Sequence, residues 1–175
     1  MKTEVVHVML KPDTLARGLR DTIVAELEAV AGPVFLATRI RLTLEQISEI
    51  YSRFPNPHSR RFVFNYFTSS DTEHLVFVGS EGLHVRVHKT KGRTGSVEGI
   101  RGKYFSNYVH YTKEDVDAWL AGTSDRTEEI DVEMFGRDIL HVADNQEDSI
   151  RGLKAVLGPQ FTEIAKALGE DQPGP

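Results

Sequence analysis

Runs of apolar residues, punctuated by proline and glycine, divide the chain into short elements. Val5 to Leu10 is a near-continuous apolar run that suits a buried strand. Lys11-Pro12-Asp13 ends it, because Pro12 lacks the N–H a ladder needs, and Asp13 or Thr14 can cap a following helix. Leu15, Leu19, Ile23, Leu27 and Val30 fall near one face of that helix, and Gly32-Pro33 stops it. Val34 to Leu42 predicts a second strand, with Leu36, Ile40 and Leu42 on one face and Arg39 and Arg41 on the other. Thr43-Leu-Glu-Gln46 has the capping-box spacing and starts a short helix through Ile47 and Ile50 to Tyr51. Residues 52–62 are proline-broken and basic and read as a loop or a short surface helix, while Phe62 to Phe67 fits helix or strand. His74 to Gly79 is a buried strand. Over 83–88, Leu83, Val85 and Val87 alternate with His84, Arg86 and His88, a pattern that predicts a strand.

The second half changes character. Residues 89–103 form a glycine-rich basic loop containing Lys89, Lys91, Arg93, Arg101 and Lys103. Such a loop is either a solvated surface segment or a phosphate cradle, since glycine lets backbone approach an anion and arginine grips phosphate with a planar fork. Thr112 to Asp115 resembles a helix cap, and Val116, Trp119 and Leu120 make a short amphipathic helix ended by Gly122. Asp125 to Glu133 reads as an acidic surface excursion. Ile139, Leu140 and Val142 then form a short buried strand carrying His141, and Asp144, Asn145 and Glu147 open a helix continued by Ile150, Leu153, Val156 and Leu157. A histidine delivered to a helix N-terminus is a place for phosphate chemistry, because the backbone N–H groups and the helix dipole favour an anion there; on its own it reads more readily as a structural strand-end histidine. A last helix follows Gly158-Pro159, with Phe161, Ile164, Ala165 and Leu168 apolar.

Composition narrows the function classes. The 175 residues suit one domain, spanning 1–170, with a disordered tail over 171–175. A net charge of −5 argues against nucleic acid as a partner, leaving room for a local basic site. The absence of cysteine excludes disulfides, thiolate metal sites and cysteine nucleophiles, and fits a cytoplasmic location. No apolar run predicts a membrane span.

The order strand–helix–strand–helix–strand, with a final strand and helix, predicts an α+β fold: a ferredoxin-like sandwich, its antiparallel sheet covered by helices. Particular motifs say more. Met9-Leu10-Lys11-Pro12-Asp13, followed by Arg17-Gly18, resembles the N-terminal signature of the nucleoside diphosphate kinase family. Tyr51 lies where that family has its active-site tyrosine. Ile100-Arg101-Gly102-Lys103-Tyr104 is similar to its Ile-Arg-Gly-Asp-Phe, and Gly136-Arg137-Asp138-Ile139-Leu140-His141-Val142-Ala143-Asp144 to its Gly-Arg-Asn-x-x-His-Gly-Ser-Asp.

The resemblance implies that His141 takes the γ-phosphoryl group of a nucleoside triphosphate and passes it to a nucleoside diphosphate. It implies phosphate contacts from Lys11 and Arg101, orientation by Tyr51, and further nucleotide contacts from Thr94, Asp138 and a second arginine, Arg93 or Arg86, with Lys89 or Lys91 as alternatives to it. Asp13 is expected to cap the first helix. Mg²⁺ would arrive with the nucleotide rather than in a protein metal site. A homo-oligomer, as a dimer, is the implied assembly. The chain departs from the family at Asp138, where the family has asparagine, at Ala143 for serine, and at Gly152 for the glutamate that orients the histidine. Residues 105–135 read as an inserted helix and acidic loop, with Trp119 either a lid residue or an anchor on the core. For 83–88 the resemblance implies helix against the alternation. The departures motivate an alternative, a nucleotide-binding accessory or sensor module with little or no kinase turnover.

Overall fold

The structure, a computed structural model, describes residues 2–51, 57–93, 97–105, 112–126, 130 and 138–169, the side chains of 57–59, 113 and 116 excepted. Its centre is β1 (Thr3–Leu10), flanked on one side by β3 (Thr72–Ser80) and on the other by β4 (Leu140–Val142), with β2 (Leu36–Ile40) beyond β3. All neighbours run antiparallel, so the expected ferredoxin-like sandwich is present. Both faces of β1 are covered, which explains its near-continuous apolar run from Val5 to Leu10, broken only at His7. Val6, Val8 and Leu10 face a layer containing Ile23 and Leu27 of α2 (Arg20–Ala31), and Leu83 and Val87 of α5 (Leu83–Lys91). Val5 and Met9 face the other layer. There they meet α3 (Leu44–Ile50), α4 (Pro57–Ser69), α8 (Gln146–Leu157) and α9 (Phe161–Ala167). The other α-helices bounded within the described residues are α1 (Pro12–Ala16), α6 (Gly99–Tyr104) and α7 (Lys113–Leu120).

Several sequence expectations need correction. Over 83–88 the helix that the resemblance implies is present, and the strand suggested by the alternation is not. Leu83 and Val87, one turn apart, are fully buried, whereas Val85 is 71% exposed, so three alternating positions had mimicked a strand. The Glu4 carboxylate accepts from the backbone N–H groups of Gly82 (3.2 Å) and His84 (3.0 Å), which satisfies the first turn of α5 from the neighbouring strand. The first predicted helix is two, because Gly18 takes φ +66° and turns the chain between Ala16 and Arg20. Neither Asp13 nor Thr14 caps α1. Lys11 is the N-cap residue, without a side-chain cap bond, and the Thr14 hydroxyl donates to the Ile139 carbonyl instead. Phe62 to Phe67 is helical, inside α4; residues 52–56 lie outside the described ones.

Other expectations hold. Thr43 and Gln46 form the capping box of α3, and Thr112 and Asp115 that of α7. Trp119 is buried in the β1–α2–α5 layer and anchors α7 to the core. Of the expected acidic excursion, Asp125 and Arg126 are exposed while Ile130 is fully buried; 127–129 and 131–137 lie outside the described residues, as do Thr94 and the tail from 170 on.

Candidate functional site

The end of β1 and the start of β4 build the site. Lys11 N–H donates to the Ile139 carbonyl at 3.0 Å, a carbonyl that also accepts from the Thr14 hydroxyl. Ile139 has φ +78°, unusual for a β-branched residue, and both bonds hold it there. This turn places Asp138 against Lys11 and sends His141 along β4 opposite Met9. His141 therefore lies on the Met9 face of the sheet, with the Tyr51 ring 4.8 Å from its own at a 47° tilt. Tyr51 is the C-cap residue of α3 and stacks on Phe67 behind it. Asn145 caps α8, its side chain accepting from Asp148 N–H at 2.9 Å.

Arg101 closes the other side. Its guanidinium donates to the carbonyls of Asp138 (3.2 Å) and Leu140 (2.7 Å), and lies 2.8 Å from the second Asp138 carboxylate oxygen. Asp138 thus joins Lys11 and Arg101 in a three-residue ion network, its side chain 5% exposed and that of Lys11 2%. A carboxylate is already seated on the two cations to which the resemblance assigns phosphate.

Lys91, at the end of α5, completes the electropositive wall. Burial, then the charge of Arg101, pulls its amine down to about 8. Lys91 and Arg101 line a cleft of about 850 Å³ with His88, Lys89 and Arg93; Arg93 is exposed at its edge. His141 and Tyr51 line a second cleft of about 540 Å³ with Asp144, Asn145 and Arg151. His88 donates to the Ala143 carbonyl at 2.9 Å, fixing the turn that leaves β4.

These surroundings set the protonation of His141. Burial first, then the positive charges of Lys11 and Lys91, hold its pKa well below the ordinary histidine value, so the imidazole is neutral with a free lone pair at neutral pH. Burial, reinforced by Asp138, raises the Tyr51 phenol, so Tyr51 acts as a neutral hydroxyl. Lys11 is lowered by burial, with Asp138 opposing.

The structure brings Lys11, Tyr51, Arg101, Asp138 and His141 together; Lys91 joins them, and Arg93 stands at the rim. Two buried histidines, His7 and His74, went unread. His7 sits inside an apolar run, where the only available signal was that its position shares the Met9 face.

Asp13 also lies buried beside Lys11, and neither carboxylate oxygen has a hydrogen-bond partner. Burial raises its pKa from 3.8 to about 6, against the opposing pull of Lys11. A carboxyl raised in the folded state stabilises the fold below its unfolded pKa and loses that contribution as pH rises through the folded one. We expect Asp13→Asn to remove a stability loss of ~2 kcal/mol between pH 4 and pH 7. Urea unfolding across that range measures it, and parallel profiles for the two proteins would disprove it.

Solved structures share this architecture. Apo nucleoside diphosphate kinase from Encephalitozoon cuniculi superposes with a TM-score of 0.65 at 20% identity, over 89% of each chain. Nucleoside-diphosphate kinase from Borrelia burgdorferi, a transition state mimic with bound vanadate and ADP, gives 0.64 at 18% identity, over 87% of this chain and 86% of that one. The Aquifex aeolicus nucleoside diphosphate kinase gives 0.61 at 16%, over 88% and 94%. No protein-family model matches the chain, and no curated protein matches it in sequence. The chain therefore has the nucleoside diphosphate kinase fold. Among the described residues no helix is long and apolar enough to cross a membrane.

Proposed function

We propose that this chain is a divergent nucleoside diphosphate kinase that moves a phosphoryl group through His141. The observation carrying the reading is a neutral, partly buried imidazole on that fold, with Lys11, Lys91 and Arg101 gathered beside it. The His141 lone pair forms the N–P bond as the bond from the γ-phosphorus to its bridging oxygen breaks, and the nucleoside diphosphate leaves with that electron pair. The reverse step delivers the group to a second nucleoside diphosphate. Lys11, Lys91 and Arg101 offset the charge on the transferring oxygens, and Tyr51 holds the imidazole face. Mg²⁺ enters as part of the Mg²⁺–nucleotide substrate. Nucleoside di- and triphosphates are the proposed partners, and a cytoplasmic homodimer the proposed assembly.

Incubation with Mg²⁺ and γ-labelled ATP tests the reading. We expect an acid-labile, base-stable label on the wild-type chain and none on His141→Ala. No label on the wild type, or equal label on both, overturns it. The ion network through Asp138 favours one other reading, a nucleotide-binding module without turnover, since a carboxylate competes with phosphate for Lys11 and Arg101. Nucleotide binding by both proteins with label on neither would select it.

A further inference from the structure

Behind His141 lies a buried polar chain that the reaction so far leaves unused. The Thr72 hydroxyl donates to the Ile40 carbonyl at 3.2 Å and stands 2.8 Å from His74 Nε2. His74 Nδ1 is 2.9 Å from His7 Nε2, the two rings stacked with centroids 5.2 Å apart. His7, His74 and Thr72 are essentially shut off from solvent, and burial keeps both imidazoles neutral.

The protons follow from the Thr72 end of the chain: with its hydrogen on the Ile40 carbonyl, the Thr72 oxygen accepts from His74 Nε2–H. A neutral His74 then has a bare Nδ1, which accepts from His7 Nε2–H. A neutral His7 is left with a bare Nδ1, and that atom faces α8 at Gly152, where an added Cβ would lie only 2.8 Å from it. Any side chain at 152 would displace the ring, which packs directly against the glycine.

The sheet register puts this lone pair beside His141. Met9 pairs with His141, and the Ala143 N–H donates to the His7 carbonyl at 3.1 Å, so His7 and His141 are diagonal neighbours on adjacent strands. They share one face of the sheet, at a separation that imidazole rings can span with one small bridge.

We propose that His7 is a positioning residue for His141: its bare Nδ1, through one bridging water, accepts from one His141 ring N–H and thereby reserves the other nitrogen for the phosphoryl group. The inference rests on the phosphohistidine reading for its consequence, not for its geometry. When the nucleophilic nitrogen bonds phosphorus, positive charge develops on the imidazole and its remaining N–H becomes a stronger donor. An acceptor fixed in advance stabilises that charge without reorganisation. His7 is itself fixed by His74 and Thr72, so rotation to the other tautomer would break two buried hydrogen bonds.

Nitrogen NMR of histidine-labelled protein, with no nucleotide present, reads the His141 tautomer directly. We expect one tautomer in the wild type, a mixture in His7→Phe, and the wild-type tautomer again in His7→Gln, which retains an acceptor. Gly152→Ala, which displaces the His7 ring, and Thr72→Val, which cuts the chain at its far end, should each give the mixture and serve if His7→Phe does not fold. In turnover, His7→Phe should lose ~10-fold or more in kcat with KM unchanged. An unaltered His141 tautomer in folded His7→Phe, or in Gly152→Ala and Thr72→Val, overturns the proposal. A wild type that never takes up label overturns the kinase reading alone, since the tautomer is measured without it.

Discussion

Asp138→Asn should bind a non-hydrolysable nucleoside triphosphate at least ~10-fold more tightly than the wild type, while its ligand-free form loses ~3 kcal/mol of stability. In the wild type Asp138 is the shared counterion of Lys11 and Arg101, and the network is nearly closed to water. The asparagine keeps the shape and can accept one hydrogen bond, but it takes their shared carboxylate away from two neighbouring cations, Lys11 buried and Arg101 nearly so. That uncompensated charge is the origin of the destabilisation. The phosphate groups of the nucleotide then meet these cations without the competition and repulsion of the Asp138 carboxylate. The two effects are linked, because ligand that binds only the folded chain restores the stability the substitution removed. Calorimetric titration and urea unfolding, each with and without ligand, measure both. Unchanged or weaker affinity would mean that Asp138 does not compete for the phosphate site, and unchanged ligand-free stability would mean that the network contributes nothing net.

What could be read from the chain beforehand divides by the range of the interactions. The capping boxes at Thr43 and Thr112 are four-residue signals and appear where expected. β1 and β3 were legible because a strand covered on both faces must be apolar throughout. At α5, six residues could not separate a period of two from one of 3.6, and the deciding contact came from Glu4, 78 and 80 positions away. The break at Gly18 was masked by the good helical spacing of Leu15, Leu19 and Ile23.

For the site, motif spacing nominated Lys11, Tyr51, Arg101 and His141, and the fold gathers them. It could not show that Asp138 would clamp two of them, since the Lys11–Asp138 pair spans 127 positions and forms through a left-handed Ile139, a conformation its residue type disfavours. The His7–His74 contact, 67 positions apart, was equally hidden: each residue sits in an apolar strand and reads only as buried.

Those histidines carry the second large expectation, that the fold loses stability as pH falls from 7 to 5. Burial lowers the His7 pKa from 6.5 to about 4, while the unfolded chain titrates at the ordinary value. A base depressed in the folded state contributes stability that is present above its unfolded pKa and lost as pH falls toward the folded one, because the unfolded chain takes up the proton first. His7 alone then withdraws ~2 kcal/mol by pH 5. His74 and His141, shifted in the same direction and also by burial foremost, add to the loss. Asp13 works the other way, since its carboxyl, raised to about 6, regains ~1 kcal/mol over the same interval. Three buried bases against one raised acid leave a net loss, so the urea midpoint should fall steadily from pH 7 to pH 5. In His7→Gln the fall should be shallower by the His7 share, since glutamine does not titrate. A midpoint that holds or rises across that range would mean that burial does not hold these imidazoles below the ordinary histidine value in the folded chain.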